Sequence, residues 1–287
     1  MIRPALRDEA FARDVAAARG EPGFRLWWLG QSGFLLQYAG RHLLLDPYLS
    51  DALTRKYAAG PHPHVRMTER VIAPERLDCI DAITSSHNHT DHLDAETLGP
   101  VLAHSPGAML VIPEASRAFV AERLGLDPAA PVGLDDGTET EVAGFRVRGV
   151  AAAHEDLAVD AAGRHRFLGY LVRFGGWCVY HSGDTVRYPG MAERIAPFRP
   201  DVALLPINGR DPARGVAGNL DGPEAATLAR DVGAGLVIPC HYDMFTFNTA
   251  SPVAFLAEAM RLGQPARTLA AGQRWSSAEL KGVGRGT

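Results

Sequence analysis

The stretch Ser86-His87-Asn88-His89-Thr90-Asp91-His92-Leu93-Asp94 organises the rest of this chain. Three imidazoles and a carboxylate fall within six residues, directly after the run 81–85, which is typical of a buried strand. Because successive side chains of an extended segment point to opposite faces, His87 and His89 can converge, and Asp91 and His92 follow after a turn. Imidazoles and carboxylates bind divalent metals such as Zn²⁺, so the stretch predicts a metal site. The alternative is a polar loop whose histidines only cap the helix that begins near Asp94, and the close spacing disfavours it.

The composition is ordinary for a soluble globular protein. The 287 residues are 46% hydrophobic and 22% charged, and no abrupt change in composition marks a boundary, so we predict one domain over residues 1–287. The net charge is -4 with scattered Lys and Arg, which disfavours a nucleic-acid partner, and no apolar run approaches the roughly 20 residues of a membrane span. Cys79, Cys178 and Cys240 are odd in number and lack C-x-x-C spacing, which favours a reduced, cytoplasmic protein. The expected partner is a small-molecule substrate, with no nucleic acid and no membrane, and a homo-oligomer is left open.

Apolar periodicity and Gly or Pro punctuation predict an α/β protein. A short amphipathic helix is expected at about 5–19, then strands at 24–29, 34–38 and 42–45, with residues 30–33 as a tight hairpin turn. Downstream, helices are predicted at 94–103, 114–124, 222–232 and 252–262. Further strands are predicted at 108–112, 138–142, 145–150, 167–174, 177–181, 202–207, 235–240 and 267–270. Two long polar loops, 49–73 and 208–219, lie between these elements and are candidates for shaping a pocket.

The pattern H-x-H-x-D-H after a hydrophobic strand resembles the metallo-β-lactamase superfamily. This resemblance implies a four-layer αβ/βα sandwich with a metal site at the edge between two sheets. It also requires three further ligand positions, each after a strand, and the chain has all three in order, in the runs 150–154, 180–185 and 237–242. Carried over position by position, the resemblance implies one ion held by His87, His89 and His154, a second held by Asp91, His92 and His241, and Asp184 as the bridge between them.

Within the superfamily, the chain is most similar to the L-ascorbate-6-phosphate lactonase group and its uncharacterised relatives. The shared segments are 27–30, 86–94, 180–184, 201–205, 214–215 and 239–243. The resemblance implies two divalent ions, Zn²⁺ or Mn²⁺ with iron as an alternative. It also implies that Asp46 lies beneath the site and hydrogen-bonds a ligand or its loop, although a plain turn Asp ahead of Pro47 is an equal alternative. The chain departs from the group at Tyr242, where a second His is expected.

Two ions held close together bring the pKa of a bridging water near neutrality, so the expected function is a dinuclear hydrolase that uses a metal-bridging hydroxide. Asp91 is the candidate catalytic residue, because a carboxylate ligand can also orient the nucleophile or carry its proton. The expected substrate is a small, anionic ester, lactone or phosphoester. Candidate substrate contacts are Asn208, Arg210, Arg214 and Tyr242, and for the two arginines the alternative is that they are solvated or pair with Asp211 and Asp221.

Two other functions are compatible with the same residues. The first is a phosphodiesterase of the phospholipase D or nuclease type, which would use the same pair of ions on a different centre. The second is a non-catalytic metal-binding protein on the same fold, which the complete set of ligand residues disfavours.

Overall fold

Two mixed β-sheets form the body of the molecule in a computed structural model, which describes residues 1–211 and 218–280. The first sheet has seven strands, numbered along the chain. In spatial order they are Arg274–Ser276 (β13), Phe24–Gly30 (β1), Gly33–Tyr38 (β2), Arg41–Leu45 (β3), Ala82–Thr84 (β4), Met109–Pro113 (β5) and Val132–Leu134 (β6). The pairs from β13 to β3 are antiparallel, whereas β3 to β6 run parallel to one another. The carboxyl ends of β3 and β4 therefore lie at the same edge.

The second sheet has six strands. In spatial order they are Leu236–Cys240 (β12), Val202–Pro206 (β11), Trp177–His181 (β10), Leu168–Phe174 (β9), Phe145–Ala151 (β8) and Glu139–Val142 (β7). The strands β10, β11 and β12 are parallel, and the remaining neighbours are antiparallel. The β9–β10 hairpin turns at Gly175 and Gly176, whose φ angles of 51° and 82° are left-handed values that glycine adopts without steric conflict.

Helices cover the outer faces of the sheets. They are Asp8–Ala17 (α1), Ala52–Lys56 (α2), Ala95–His104 (α3), Arg117–Leu124 (α4), Met191–Ile195 (α5), Gly222–Asp231 (α6) and Val253–Leu262 (α7). Helix α3 begins after Asp94, whose carboxylate accepts the backbone N–H of Glu96 at 3.2 Å, and a capping box of Asp221 and Glu224 begins α6. No helix within the described ranges is long and apolar enough to cross a membrane.

The core lies between the two sheets. Phe24 of β1 meets Phe174 and Trp177 of the second sheet at ring-centroid distances of 5.3 and 5.2 Å. On its other face β1 is covered by α1, where Trp27 contacts the ring of Phe11 and donates its indole N–H to Asp14. Because β1 is buried on both faces, its sequence is apolar on both sides apart from Arg25, which forms an ion pair with Glu21.

The α/β sandwich predicted from the sequence is confirmed, and most element positions agree within two residues. The predicted strand at 267–270 is wrong. Ala266 forms only an isolated parallel bridge with Val237 of β12, in which the Arg267 N–H donates to the Val237 carbonyl at 3.0 Å, and the chain then turns between Ala270 and Gln273. The last strand is β13, which pairs with β1. The short elements α2, β6 and α5 were not predicted, because each is too short to show a hydrophobic period.

Candidate metal centre

The predicted ligand side chains all follow the carboxyl ends of strands. The motif 87–92 follows β4, His154 follows β8, Asp184 follows β10 and His241 follows β12. Parallel pairing aligns the ends of β10 and β12 in one sheet and of β3 and β4 in the other. Loops at this edge can therefore bring side chains from both sheets to one place.

The first cluster consists of three imidazoles. The ligand atoms of His87, His89 and His154 all lie within 4.8 Å of one another. The ring centroids are 4.6 to 5.4 Å apart, and the ring of Phe167 packs against all three histidines. His87 is buried, whereas His89 is exposed, so this cluster opens to solvent on the side of His89.

The second cluster consists of Asp91, His92 and His241. The Oδ2 atom of Asp91 lies 3.7 Å from Nε2 of each histidine. Asp184 contacts both clusters, because its Oδ2 atom lies 3.7 Å from His154 Nε2 and 3.5 Å from His241 Nε2. Its Oδ1 atom lies 3.3 Å from His92 Nε2. Asp184 therefore occupies the place between the clusters that a bridging ligand would need.

Three buried polar atoms at the centre suit a bound cation. His87 Nε2 has no hydrogen-bond partner among the described residues, and His92 Nε2 and Asp184 Oδ1, which lie 3.3 Å from each other, make no hydrogen bond of acceptable geometry there. Buried polar atoms without partners are rare in folded proteins and call for an explanation such as an ion. Two ligand atoms that are each about 2.1 Å from a tetrahedral ion lie about 3.4 Å from each other. The distances between ligand atoms within and between the clusters are close to this value. The residues present therefore fit divalent cations.

The outward-facing ring nitrogens are held by other groups, which points the Nε2 atoms at the centre. His154 Nδ1 donates to the Gly218 carbonyl at 2.9 Å, and His92 Nδ1 lies 2.6 Å from the Asp46 carboxylate. His87 Nδ1 lies 3.0 Å from Ser86 Oγ. Such partners fix both the tautomer and the orientation of a metal-binding imidazole.

Asp46 is completely buried after β3 and has a left-handed φ of 41°. Besides contacting His92, its carboxylate accepts the backbone N–H of Ser86 at 2.9 Å and the Ser86 hydroxyl. Asp46 is also close enough to His87 and His92 to be a ligand itself. Since its oxygens already accept hydrogen bonds from these groups, the geometry favours a role in orienting His92.

The pKa values of the cluster follow from burial and from the neighbouring charges. Burial, helped by His92 and His89, lowers the pKa of His87 well below 6.5, so its ring is neutral and has a lone pair available. Burial opposes protonation of His92 as well, but Asp184 and Asp91 outweigh it and raise the pKa of His92 well above 6.5. Burial raises the pKa of Asp184, but His92 and His241 outweigh it and hold that pKa well below 3.8. Asp184 is therefore an anion that favours a cation beside it.

Tyr242 does not lie where it could bind a substrate, which corrects the prediction. Its side chain is only 3% exposed and its ring stacks on Trp28 with centroids 4.4 Å apart. The hydroxyl donates to the Leu269 carbonyl at 2.5 Å and accepts the Leu269 N–H at 3.2 Å. His241, directly after β12, has a left-handed φ of 64°, and the side chain of Tyr242 next to it packs into the core.

The guanidinium of Arg210 forms a bidentate ion pair with Glu224 of α6, at 3.0 and 2.6 Å. The prediction that Arg210 binds a substrate anion therefore has no support in the geometry, and its partner is neither Asp211 nor Asp221. Arg214 lies outside the described residues, so its predicted contact stays a prediction.

Asn208 follows β11 and is 5% exposed. Its amide donates to Asn248 Oδ1 at 2.9 Å and accepts from the Asn219 amide at 3.0 Å. These bonds connect three loops, so the geometry gives Asn208 a structural role and does not support the predicted substrate contact.

Gln31 belongs to the site but was not predicted. It lies in the turn between β1 and β2, and its Nε2 atom is 2.9 Å from Asp91 Oδ2 and 3.0 Å from His241 Nε2. The sequence shows only Gly-Gln-Ser-Gly, which indicates a hairpin turn. The available signal was a polar side chain in a turn between two apolar strands. This signal does not show which residues, remote in the sequence, the side chain contacts.

Aromatic and imidazole rings from two loops pack together near the second cluster. His64, from the loop 49–73, is close enough to Asp91 and His241 for their charges to act on its pKa, which burial lowers. Its ring stacks on Tyr57 at 4.5 Å and meets Phe247 edge-on at 5.1 Å, while His62 stacks on Phe247 at 4.8 Å. The loop 49–73 therefore contributes Tyr57, His62 and His64 to a group of packed rings that includes Phe247.

This fold, with a His and Asp cluster at the edge between two sheets, defines a metallo-β-lactamase-type protein. The family described as the beta-lactamase superfamily domain matches residues 25–241, so the chain belongs to that superfamily. A relative from Opitutus terrae, named UPF0173 metal-dependent hydrolase, is 32% identical over 87% of this chain and 98% of its own length. A protein of the same name from Rubrobacter xylanophilus is 31% identical, over 84% of this chain and 90% of its own. The chain is a member of this UPF0173 metal-dependent hydrolase family.

A solved structure supports the same fold. Igni18, a metallo hydrolase from Ignicoccus hospitalis, aligns with a TM-score of 0.64 and 20% identity, covering 88% of this chain and 97% of its own. At this identity the likeness concerns the fold alone.

Proposed function

We propose that this protein is a dinuclear metal-dependent hydrolase that acts on a small ester, lactone or phosphoester. The observation that carries the proposal is the pair of ligand clusters, His87–His89–His154 and Asp91–His92–His241, with Asp184 in contact with both. Two divalent ions, Zn²⁺ or Mn²⁺ with iron as an alternative, would supply a nucleophilic hydroxide near neutral pH and polarise the electrophilic centre. Membership of a family of metal-dependent hydrolases supports the same conclusion.

Asp91 is the residue that we assign to proton handling. Its side chain is 15% exposed, whereas His92 and His241 in the same cluster are 0% and 1% exposed. A substrate can therefore reach the Asp91 carboxylate, which can orient the attacking water and pass its proton to the leaving group. His89 is exposed as well, so the substrate would enter on the side shared by His89 and Asp91.

The surroundings of the clusters bear on the substrate class. Phe167, which packs against the three histidines of the first cluster, offers aromatic surface to the uncharged part of a substrate. The arginine proposed for an anionic group is Arg214, because Arg210 is engaged by Glu224. The narrower proposal, a lactone substrate as in the L-ascorbate-6-phosphate lactonase group, rests on the resemblance in sequence.

Metal analysis followed by a substrate panel tests the proposal. Protein purified without chelators should contain two equivalents of divalent metal. It should open lactones or cleave nitrophenyl esters, with a chelator abolishing the activity and added Zn²⁺ or Mn²⁺ restoring it. Cleavage of bis-nitrophenyl phosphate with no ester or lactone turnover would replace the proposal with a phosphodiesterase. Two bound ions with no turnover on any class would favour a metal-binding protein.

A further inference from the structure

The main chain of Gln31 is fixed by two remote groups. Its carbonyl accepts the indole N–H of Trp28 at 3.0 Å and the backbone N–H of His241 at 2.9 Å. Gln31 has a left-handed φ of 51° and is 2% exposed. The turn between β1 and β2 is therefore attached directly to the backbone of the last predicted ligand.

The side chain of Gln31 points into the second cluster. Its terminal nitrogen lies 2.9 Å from Asp91 Oδ2, within the range of a charge-assisted hydrogen bond, and 3.0 Å from His241 Nε2. An ionised carboxylate only accepts hydrogen bonds, so the amide N–H must face Asp91 and the amide oxygen must point away.

Asp91 needs such a partner more than the other members of its cluster do. It lies in a turn of the motif loop, whereas His241 directly follows β12, and the ring of His92 is held by Asp46. A partly exposed carboxylate on a loop has several rotamers available. The Gln31 amide is a neutral donor that favours the observed rotamer, in which Oδ2 lies 3.7 Å from Nε2 of both His92 and His241.

We propose that Gln31 is a positioning residue, whose amide N–H holds the Asp91 carboxylate in the orientation that completes the second ligand cluster. The inference rests on the proposed function in that Asp91 and His241 are taken as ligands of the second ion. Because the amide touches no member of the first cluster, the effect is specific to one ion. Loss of the amide leaves the first ion in place and weakens the second by about 10- to 100-fold, as is typical for outer partners of metal ligands.

The test compares Gln31→Met with Gln37→Met. Both glutamines are 2% exposed on the same sheet, and Gln37 donates its amide to the Val15 carbonyl at 3.0 Å, remote from the clusters. Methionine keeps the length and volume of glutamine but has no N–H. The two variants therefore remove a buried amide of the same kind, and only one of them faces the cluster.

The readouts are metal stoichiometry by chelator competition and the visible absorption of the Co²⁺-substituted protein. We expect Gln31→Met to bind one ion with wild-type affinity and the second about 10- to 100-fold more weakly. The absorption bands of Co²⁺ at the second position should be lost. Gln37→Met should match the wild type in both measurements. Wild-type binding of both ions by Gln31→Met, or equal losses in both variants, would overturn the proposal.

The metal readouts do not depend on turnover. A wild-type protein with two ions and no hydrolysis refutes the proposed function alone, whereas a wild-type protein that binds one ion refutes both.

Discussion

Replacing Asp46 by Asn tests whether the orientation of His92 controls the metal site. The Asn carbonyl oxygen can still accept the Ser86 N–H, but the amide group then faces His92 Nδ1, which was 2.6 Å from a carboxylate oxygen. An amide NH₂ cannot accept a hydrogen bond, so the ring adopts the tautomer with its proton on Nε2. That proton occupies the lone pair that would bind the ion.

The magnitude follows from the burial of this pair. Asp46 and His92 are both 0% exposed, so no water replaces the lost partner. Loss of one outer partner of a metal-binding His typically weakens metal binding 10- to 100-fold, which is about 1.4 to 2.8 kcal/mol. Loss of a hydrogen bond to a charged group also lowers the free energy of unfolding of the metal-free protein, by about 1.5 to 3 kcal/mol.

The assay is chelator competition for the metal, with Asp81→Asn as the matched control. Asp81 also lies beside a buried imidazole, His42, with its Oδ2 atom 3.7 Å from the ring, but far from the clusters along the first sheet. The control should keep wild-type metal affinity. If Asp46→Asn binds both ions as tightly as the wild type, the reasoning about the tautomer is refuted and Asp46 is a turn residue.

Three further predictions follow from the same geometry. Asp91→Ala should lower kcat strongly and the free energy of unfolding only slightly. If the variant kept wild-type turnover with both ions bound, Asp91 would be a structural residue. Tyr242→Phe should destabilise the protein by about 1 to 3 kcal/mol in chemical unfolding, because Leu269 loses its partner, while KM stays constant; a changed KM would return Tyr242 to the substrate site. Burial lowers the pKa of His42 below its ordinary 6.5, so the fold prefers the neutral ring, and stability should fall as the pH drops from 6.5 towards the folded-state pKa. Between pH 7.5 and pH 5.5, the thermal stability of metal-free His42→Gln should fall less than that of the metal-free wild type. An equal fall in both proteins would contradict this linkage.

The sequence by itself determined the fold class and the set of side chains that gather at the centre. Each member of that set follows an apolar run long enough to be read as a strand, and a parallel arrangement places strand ends at one edge. The motif 87–92 spans only six consecutive residues, so its spacing alone brings several ligand side chains close together. The strands and the motif 87–92 could be predicted from short-range periodicity and side-chain chemistry, whereas His154, Asp184 and His241 were assigned through the resemblance to the metallo-β-lactamase superfamily.

Only the tertiary structure decided which partner each remaining polar group meets. Gln31 reaches Asp91 and His241, which are 60 and 210 residues away along the chain, and Arg210 finds Glu224 on a helix. Tyr242 is in the core, where its ring stacks on Trp28 and its hydroxyl donates to the Leu269 carbonyl, 27 residues further along the chain. A hydrogen bond depends on positions to within a few tenths of an ångström, and those positions are set by the packing of two sheets against each other, which no local pattern in the sequence contains.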